Sequence, residues 1–220
     1  MVPVASIYKK LLEEYGYQGW WPVDSKYHQK DYSFPKNKEQ EFEICIGAIL
    51  TQSTSWKNVE KALENLKKNK SLSPEIINSM PFDKLTEIIK SSGYHKQKAR
   101  KLKEFIRFYL KNNGKTMENL LEVWGIGKET ADSILLYAYK KPCFVIDAYT
   151  KRIMNRIGFK EKSYDEIQDL FMKNLEKDHK LFNEFHALFV EHGKKTCKKK
   201  PLCNECCLNK ICSYGKKVIS

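Results

Sequence analysis

Val123-Trp124-Gly125-Ile126-Gly127-Lys128-Glu129 decides how this chain is read. It lies between two helical patterns, in LLEVWGIGKETADSIL. Two glycines around one apolar residue allow a hairpin too tight for most side chains. Lacking Cβ atoms, such a turn lets backbone N–H groups approach an anion closely. The N-terminus of the next helix adds donors and the positive end of a dipole. The segment is therefore predicted to bind phosphate through Gly125, Gly127, Lys128 and Thr130, without reading a base sequence. An ordinary interhelix turn would use the same residues.

Asp147 lies twenty residues beyond Gly127, in FVIDAYTKRI. It follows an apolar run and precedes a helical pattern, so it is expected to cap that helix. Elsewhere the apolar spacing is also helical. In SWKNVEKALENLKK, Val59, Ala62, Leu63 and Leu66 fall on one face. Ser73-Pro74 reads as a cap followed by a first helical residue. No alternation is long enough for a sheet, and no 20–50-residue repeat is found. The expected fold class is all-α.

The 220 residues carry 40 Lys and Arg against 27 Asp and Glu, a formal net charge of +13. That excess points to a polyanion, nucleic acid before membrane. No stretch approaches the ~18 apolar residues of a membrane span, and the first residues do not read as a signal peptide. A soluble, cytoplasmic protein is expected. Cys45 and Cys143 stand alone in apolar runs and read as core thiols.

The other five cysteines fall between Cys197 and Cys212. Cys197, Cys203, Cys206 and Cys212 have the pattern C-x5-C-x2-C-x5-C. Such spacing lets four thiolates converge on an iron–sulfur cluster or a structural zinc, and spacing alone leaves both open. Cys207 could replace Cys206, but Cys206 alone supplies the x2 gap. Lys198, Lys199 and Lys200 fill the first loop, where they could face a phosphate backbone.

Taken together, LEVWGIGKETADSILLYA, the Pro-containing turn, VIDAYTKRI and the cysteine tail resemble the endonuclease III superfamily of helix-hairpin-helix DNA glycosylases. EFEICIGAILTQSTSWKNVEKAL resembles its first barrel helices, and SSGYHKQKARKLKEF its Gly-x-x-x-x-Lys-Ala segment. The likeness runs in order from about residue 39 to 212. It implies two helical lobes with a cleft between them. Residues 34–141 would form a helical barrel with the helix-hairpin-helix at about 117–140. Residues 1–33 and 142–220 would form a second helical domain with a [4Fe–4S] loop at 197–212. The first cysteine gap is one residue shorter than the family's usual six. The partner implied is double-stranded DNA with a damaged base flipped out, bound by a monomer, with Gln52 filling the gap left by that base. Lys96 and Lys98 are further phosphate candidates, each equally readable as ordinary surface lysine. His186 and His192 read as structural.

Bifunctional members of that superfamily carry a lysine where this chain has Glu129. A carboxylate cannot form an imine, so the resemblance implies a monofunctional enzyme: water attacks, the base leaves, and the strand stays intact. Asp147 would stabilise the sugar cation and orient the water. Glu129 could hold a water or the base. Trp20, Trp21 and Pro22, with Phe42, could sandwich a flipped base, and a cationic alkylated purine gains cation–π attraction from indole. WWP, LTQ-x-TSWKNVEKAL and GIGKE-T-AD together resemble the 3-methyladenine branch. The alternatives are an oxidised-pyrimidine glycosylase with lyase activity and a non-catalytic iron–sulfur DNA-binding protein.

Overall fold

Ordered structure in this chain is helical. The computed structural model describes residues 3–111 and 115–219, and among them the only β pairing is an isolated bridge between Val23 and Lys26. The chain divides into two compact units. One is built from the chain up to Pro22, from Tyr27–Tyr32 and from Lys141 onward; the other from Val23–Lys26 and Ser33–Lys140.

The second unit is organised on α2 (Lys38–Leu50), whose residues from Phe42 to Leu50 are all buried. Asn37 caps it by accepting from the Gln40 N–H. Around it lie α3 (Trp56–Lys68), α4 (Pro74–Ser79), α5 (Phe82–Ile88), α6 (His95–Leu110), α7 (Met117–Leu121) and α8 (Lys128–Ser133). The buried face of α3 is Val59, Ala62, Leu63 and Leu66, as its spacing dictates. Ser73 caps α4 with Pro74 in its first turn. Past Ser133 the helix widens to a π turn over Ile134–Ala138, in which the Tyr139 N–H reaches Ile134 O at 3.2 Å. The periodicity alone reads this segment as plain α-helix.

Lys98 corrects a sequence reading. It is not a phosphate contact on the surface but is 2% exposed. Its ammonium donates to Leu50 O at 2.8 Å and Ser92 O at 2.6 Å. Leu50 is the last residue of α2, so the lysine neutralises a helix C-terminus from within. Burial lowers its pKa to about 8. Cys45 is buried and its thiol lies 3.9 Å from the Tyr139 hydroxyl. Cys143 is only partly buried, because it follows the exposed Lys141-Pro142 turn.

In the first unit α1 (Val4–Tyr15) lays Val4, Ile7 and Leu11 against the core and packs on α11 (His179–Lys195). α9 (Ala148–Ile157) also packs on α11, with α10 (Tyr164–Asn174) and α12 (Ser213–Ile219) completing the unit. A phenylalanine cluster fills the centre. Phe144 stacks on Phe171 at 3.9 Å and Phe185 on Phe189 at 4.7 Å, the two pairs meeting edge to face. Two features set the spacing of α9 and α11. A Cβ on Gly193 would lie 2.3 Å from the Tyr149 ring, so that glycine lets the ring sit against the α11 backbone. Arg152 also donates to Gly193 O at 3.0 Å.

Candidate active site and nucleic-acid interface

Between α7 and α8 the chain makes the expected tight turn. The Ile126 N–H donates to Val123 O at 3.0 Å, and Ile126 is 5% exposed, which pins the turn to the unit's core. The two glycines do different work. Gly125 has φ +85°, and a Cβ there would lie 2.6 Å from the Lys101 side chain. Gly127 is extended, with φ −98°, and open space surrounds the position of its absent Cβ. Gly127 is also the N-cap of α8, and no side chain caps that end. Open access to an uncapped helix start suits an anion.

Gln52 is tied to this turn. Its amide donates to Gly125 O at 3.2 Å and to Thr130 Oγ1 at 2.9 Å, while its carbonyl accepts from Lys101. Thr130 is buried, with its hydroxyl engaged by Gln52. Lys128 and Glu129 open the helix and are exposed. Lys101, which sequence reading missed, thus touches both Gly125 and Gln52. One of many lysines on a basic helix carries no signal of such a position. Phe42 is 1% exposed and lines a cavity of about 400 Å3 with Glu41, Tyr109, Lys115 and Tyr139. Lys115 is held there by both oxygens of Glu41, at 2.8 Å each.

The remaining catalytic and pocket candidates belong to the first unit. Asp147 caps α9: Oδ1 accepts from the Thr150 N–H at 2.7 Å. Its Oδ2 lies 3.9 Å from His186 Nε2. Burial lowers the pKa of His186, although the nearby Asp147 pulls the other way, so the imidazole is neutral at physiological pH. The capping bond fixes the carboxylate and leaves the second oxygen uncommitted to the helix. Trp20 is half-buried, while Trp21 and Pro22 are buried. The Trp20 ring contacts those of Trp21 (5.3 Å) and Tyr27 (5.9 Å), and Lys194 Nζ stands 5.8 Å above it.

The cysteine tail folds over α9. Cys197, Cys203, Cys206 and Cys212 line a single small cavity of about 20 Å3, with Ile153, Ile157, Leu202 and Leu208; Cys207 does not line it. Two arginines shape the loop. Arg152 donates to Cys197 O at 2.9 Å. Arg156 donates to Lys198 O (2.6 Å), Lys199 O (2.9 Å) and Cys197 Sγ (3.2 Å). The carbonyls of Lys198 and Lys199 turn to Arg156, and the side chains of Lys198 to Lys200 remain exposed. His192 sits 3.7 Å from Cys206 Sγ and 2.9 Å from the Tyr15 hydroxyl. Among the described residues, no three His, Cys, Asp or Glu side chains are gathered tightly enough for one metal ion. Four thiols lining one mostly apolar cavity are the donor set of a four-thiolate iron–sulfur cluster and equally of a four-thiolate zinc.

The chain's residues 46–177 match the model of the HhH-GPD superfamily of base excision DNA repair proteins. The chain belongs to that superfamily. A relative from Methanocaldococcus jannaschii named "Putative DNA repair glycosylase" is 45% identical over 95% of both chains. Endonuclease III recurs as a name among relatives at 26–33% identity. Of solved structures, an endonuclease III–DNA complex superposes with TM-score 0.81, covering 98% of this chain and 96% of that one; at 22% identity this shows the fold alone. The 3-methyladenine DNA glycosylase of H. pylori bound to 1,N6-ethenoadenine is 28% identical, with TM-score 0.69, over 88% of this chain and 98% of that one. As a member of the superfamily the chain is a DNA N-glycosylase. None of its described helices is long and apolar enough to cross a membrane.

Proposed function

We propose that the chain, acting as a monomer, hydrolyses the N-glycosidic bond of alkylated purines such as 3-methyladenine in duplex DNA and leaves the strand uncut. The observation that carries this is Glu129. It occupies the first turn of α8, directly behind the hairpin. An amine there would attack the sugar; a carboxylate does not. Lys128, one residue earlier, points about 100° away around the helix. Asp147 would face the developing sugar cation with Oδ2 while its cap bond holds the group in place. Alkylated purines are cationic leaving groups that need no acid. Trp20, Trp21, Pro22 and Phe42 are the proposed contacts to such a base. Gln52, Gly125, Gly127, Lys128 and Thr130 are the proposed surface for DNA, backed by the basic charge of the chain.

Cys197, Cys203, Cys206 and Cys212 would hold a [4Fe–4S] cluster. Bound there, the cluster would brace the loop, and Lys198, Lys199 and Lys200 would supply its positive field. The reaction itself falls to Asp147 and water.

A second reading, an endonuclease III-like lyase on oxidised pyrimidines, draws support from the names of several relatives. It needs another amine. Lys101 is the one beside the hairpin, and burial lowers its pKa.

The test presents the purified chain with duplexes carrying methylated purines or a single oxidised pyrimidine. Release of 3-methyladenine, with nicks only after alkali, is expected. Release of the pyrimidine with a nicked strand and a borohydride-trapped adduct would overturn the proposal in favour of the second reading.

A further inference from the structure

Beside the hairpin stands a pair of residues that nothing above uses. Trp124 immediately precedes Gly125, yet its indole is 46% exposed. Arg100, on α6, lies over that ring at 4.0 Å from its centroid. Arg100 is itself exposed, and no acceptor among the described residues takes its N–H groups. Its neighbours on the helix are engaged differently. Arg107 is paired with Glu104 at 2.8 Å, Lys103 donates to Asn78 O and Met80 O, and Lys101 is held by Gln52. Arg100 alone of these four combines an aromatic contact with unspent donors. Lys96, one turn earlier on the same face, is also exposed.

A guanidinium held 4.0 Å above an indole is restricted in its rotation, but its N–H groups remain open. Those groups match two oxygens of a phosphate. Stacking on an aromatic face is attractive even at an exposed site and orders the side chain in advance. The position is informative. The stack is covalently next to Gly125, two residues before the uncapped N-terminus of α8, so an anion on the hairpin and one on Arg100 would lie close along one surface of this unit. A nucleic-acid strand presents a row of phosphates to such a surface; a small free anion does not need two sites.

We infer that Arg100, braced by Trp124, is a second phosphate contact that extends the hairpin along the backbone of duplex DNA. This rests on the reading of the chain as a DNA-binding glycosylase. It assigns the pair to grip on the strand, whatever the base.

The test is binding of a labelled, undamaged duplex over a series of salt concentrations. The wild type, Arg100→Gln, Trp124→Ala and the double variant are compared, with circular dichroism to check that all are folded. Arg100→Gln is expected to weaken binding about fivefold and to reduce the log–log salt slope by about one. Trp124→Ala is expected to weaken binding too. The double variant should lose less than the sum of the two, because both changes break one unit. Wild-type affinity and slope in Arg100→Gln would overturn the inference, and additive losses would overturn the bracing role of Trp124. Failure of the wild type itself to bind duplex would instead sink the proposed function, and this contact with it.

Discussion

The Lys98 ammonium and the Leu50 carbonyl, 48 residues apart, meet at 2.8 Å inside the second unit. A charge there can only be structural. Lys98→Met keeps the stem and removes both hydrogen bonds, leaving the carbonyls of Leu50 and Ser92 buried without that donor. The variant is expected to be about 2–4 kcal/mol less stable. Below its melting temperature its salt slope on duplex DNA should match the wild type. A stable variant with a reduced slope would return Lys98 to the phosphate surface.

The two hairpin glycines should separate under the same substitution. At Gly125 an alanine meets a positive φ and the Lys101 side chain, so Gly125→Ala is expected to cost about 1–3 kcal/mol. At Gly127 there is neither strain nor a neighbour, and Gly127→Ala should change stability by less than about 0.5 kcal/mol. It should still weaken DNA binding, since its methyl group stands where the phosphate would approach. Thermal melts paired with a binding titration read both; equal stability losses would refute the distinction.

Asparagine caps a helix about as well as aspartate. Asp147→Asn therefore keeps the bond to Thr150 and removes only the charge. Base release is expected to fall at least a hundredfold with little change in melting temperature. An active Asp147→Asn enzyme would remove the carboxylate from the mechanism.

Glu184 is fully buried and accepts from the Gln18 N–H at 2.7 Å and the Tyr32 hydroxyl at 2.8 Å. Burial raises its pKa above the ordinary carboxylate value, against those two bonds. The folded chain then holds a proton that the unfolded chain has already released. Its contribution to stability is full below the unfolded value of about 4.3 and is lost as pH rises through the folded value. Glu184→Gln does not titrate. Relative to wild type, the variant is expected to gain stability between about pH 4 and pH 7. Urea melts giving the same difference at both ends would refute this.

Chain purified without oxygen is expected to be brown and to carry on the order of four iron atoms. Cys206→Ser should lose the colour and Cys207→Ser should keep it, because only the former lines the cavity. One colourless zinc per chain would replace the cluster with the alternative metal.

Much of this was legible in the sequence, and the limits have physical causes. The buried face of α3 follows from spacing, and the cap at Asp147 follows from an apolar run meeting a helix start. Both signals are local. Lys98 was hidden because a buried lysine among exposed ones looks no different in the letters. The partners that decide it, Leu50 and Ser92, belong to other elements. Arg156 shows the same limit: it reaches carbonyls more than forty residues away, which no helical period encodes. The π turn at Ile134–Ala138 escaped because apolar residues all round a helix erase its phase. Lys101 and Trp124 were plain in the sequence, but their contacts with Gly125 and Arg100 required the fold.

Gly193 has a bearing on how this chain can drift over generations. Its missing side chain is the seat of Tyr149, two residues after Asp147. Any replacement would push on the ring's root, since the atoms within 3 Å include Cβ and Cγ, the part of a tyrosine least able to swing away. The displaced element would be the helix that begins at Asp147. Position 193 is thus an inheritance constraint imposed by geometry at a site that touches no substrate. A descendant that changed it would be expected to change Tyr149 to something smaller in the same lineage, or to give up the reaction while keeping the fold.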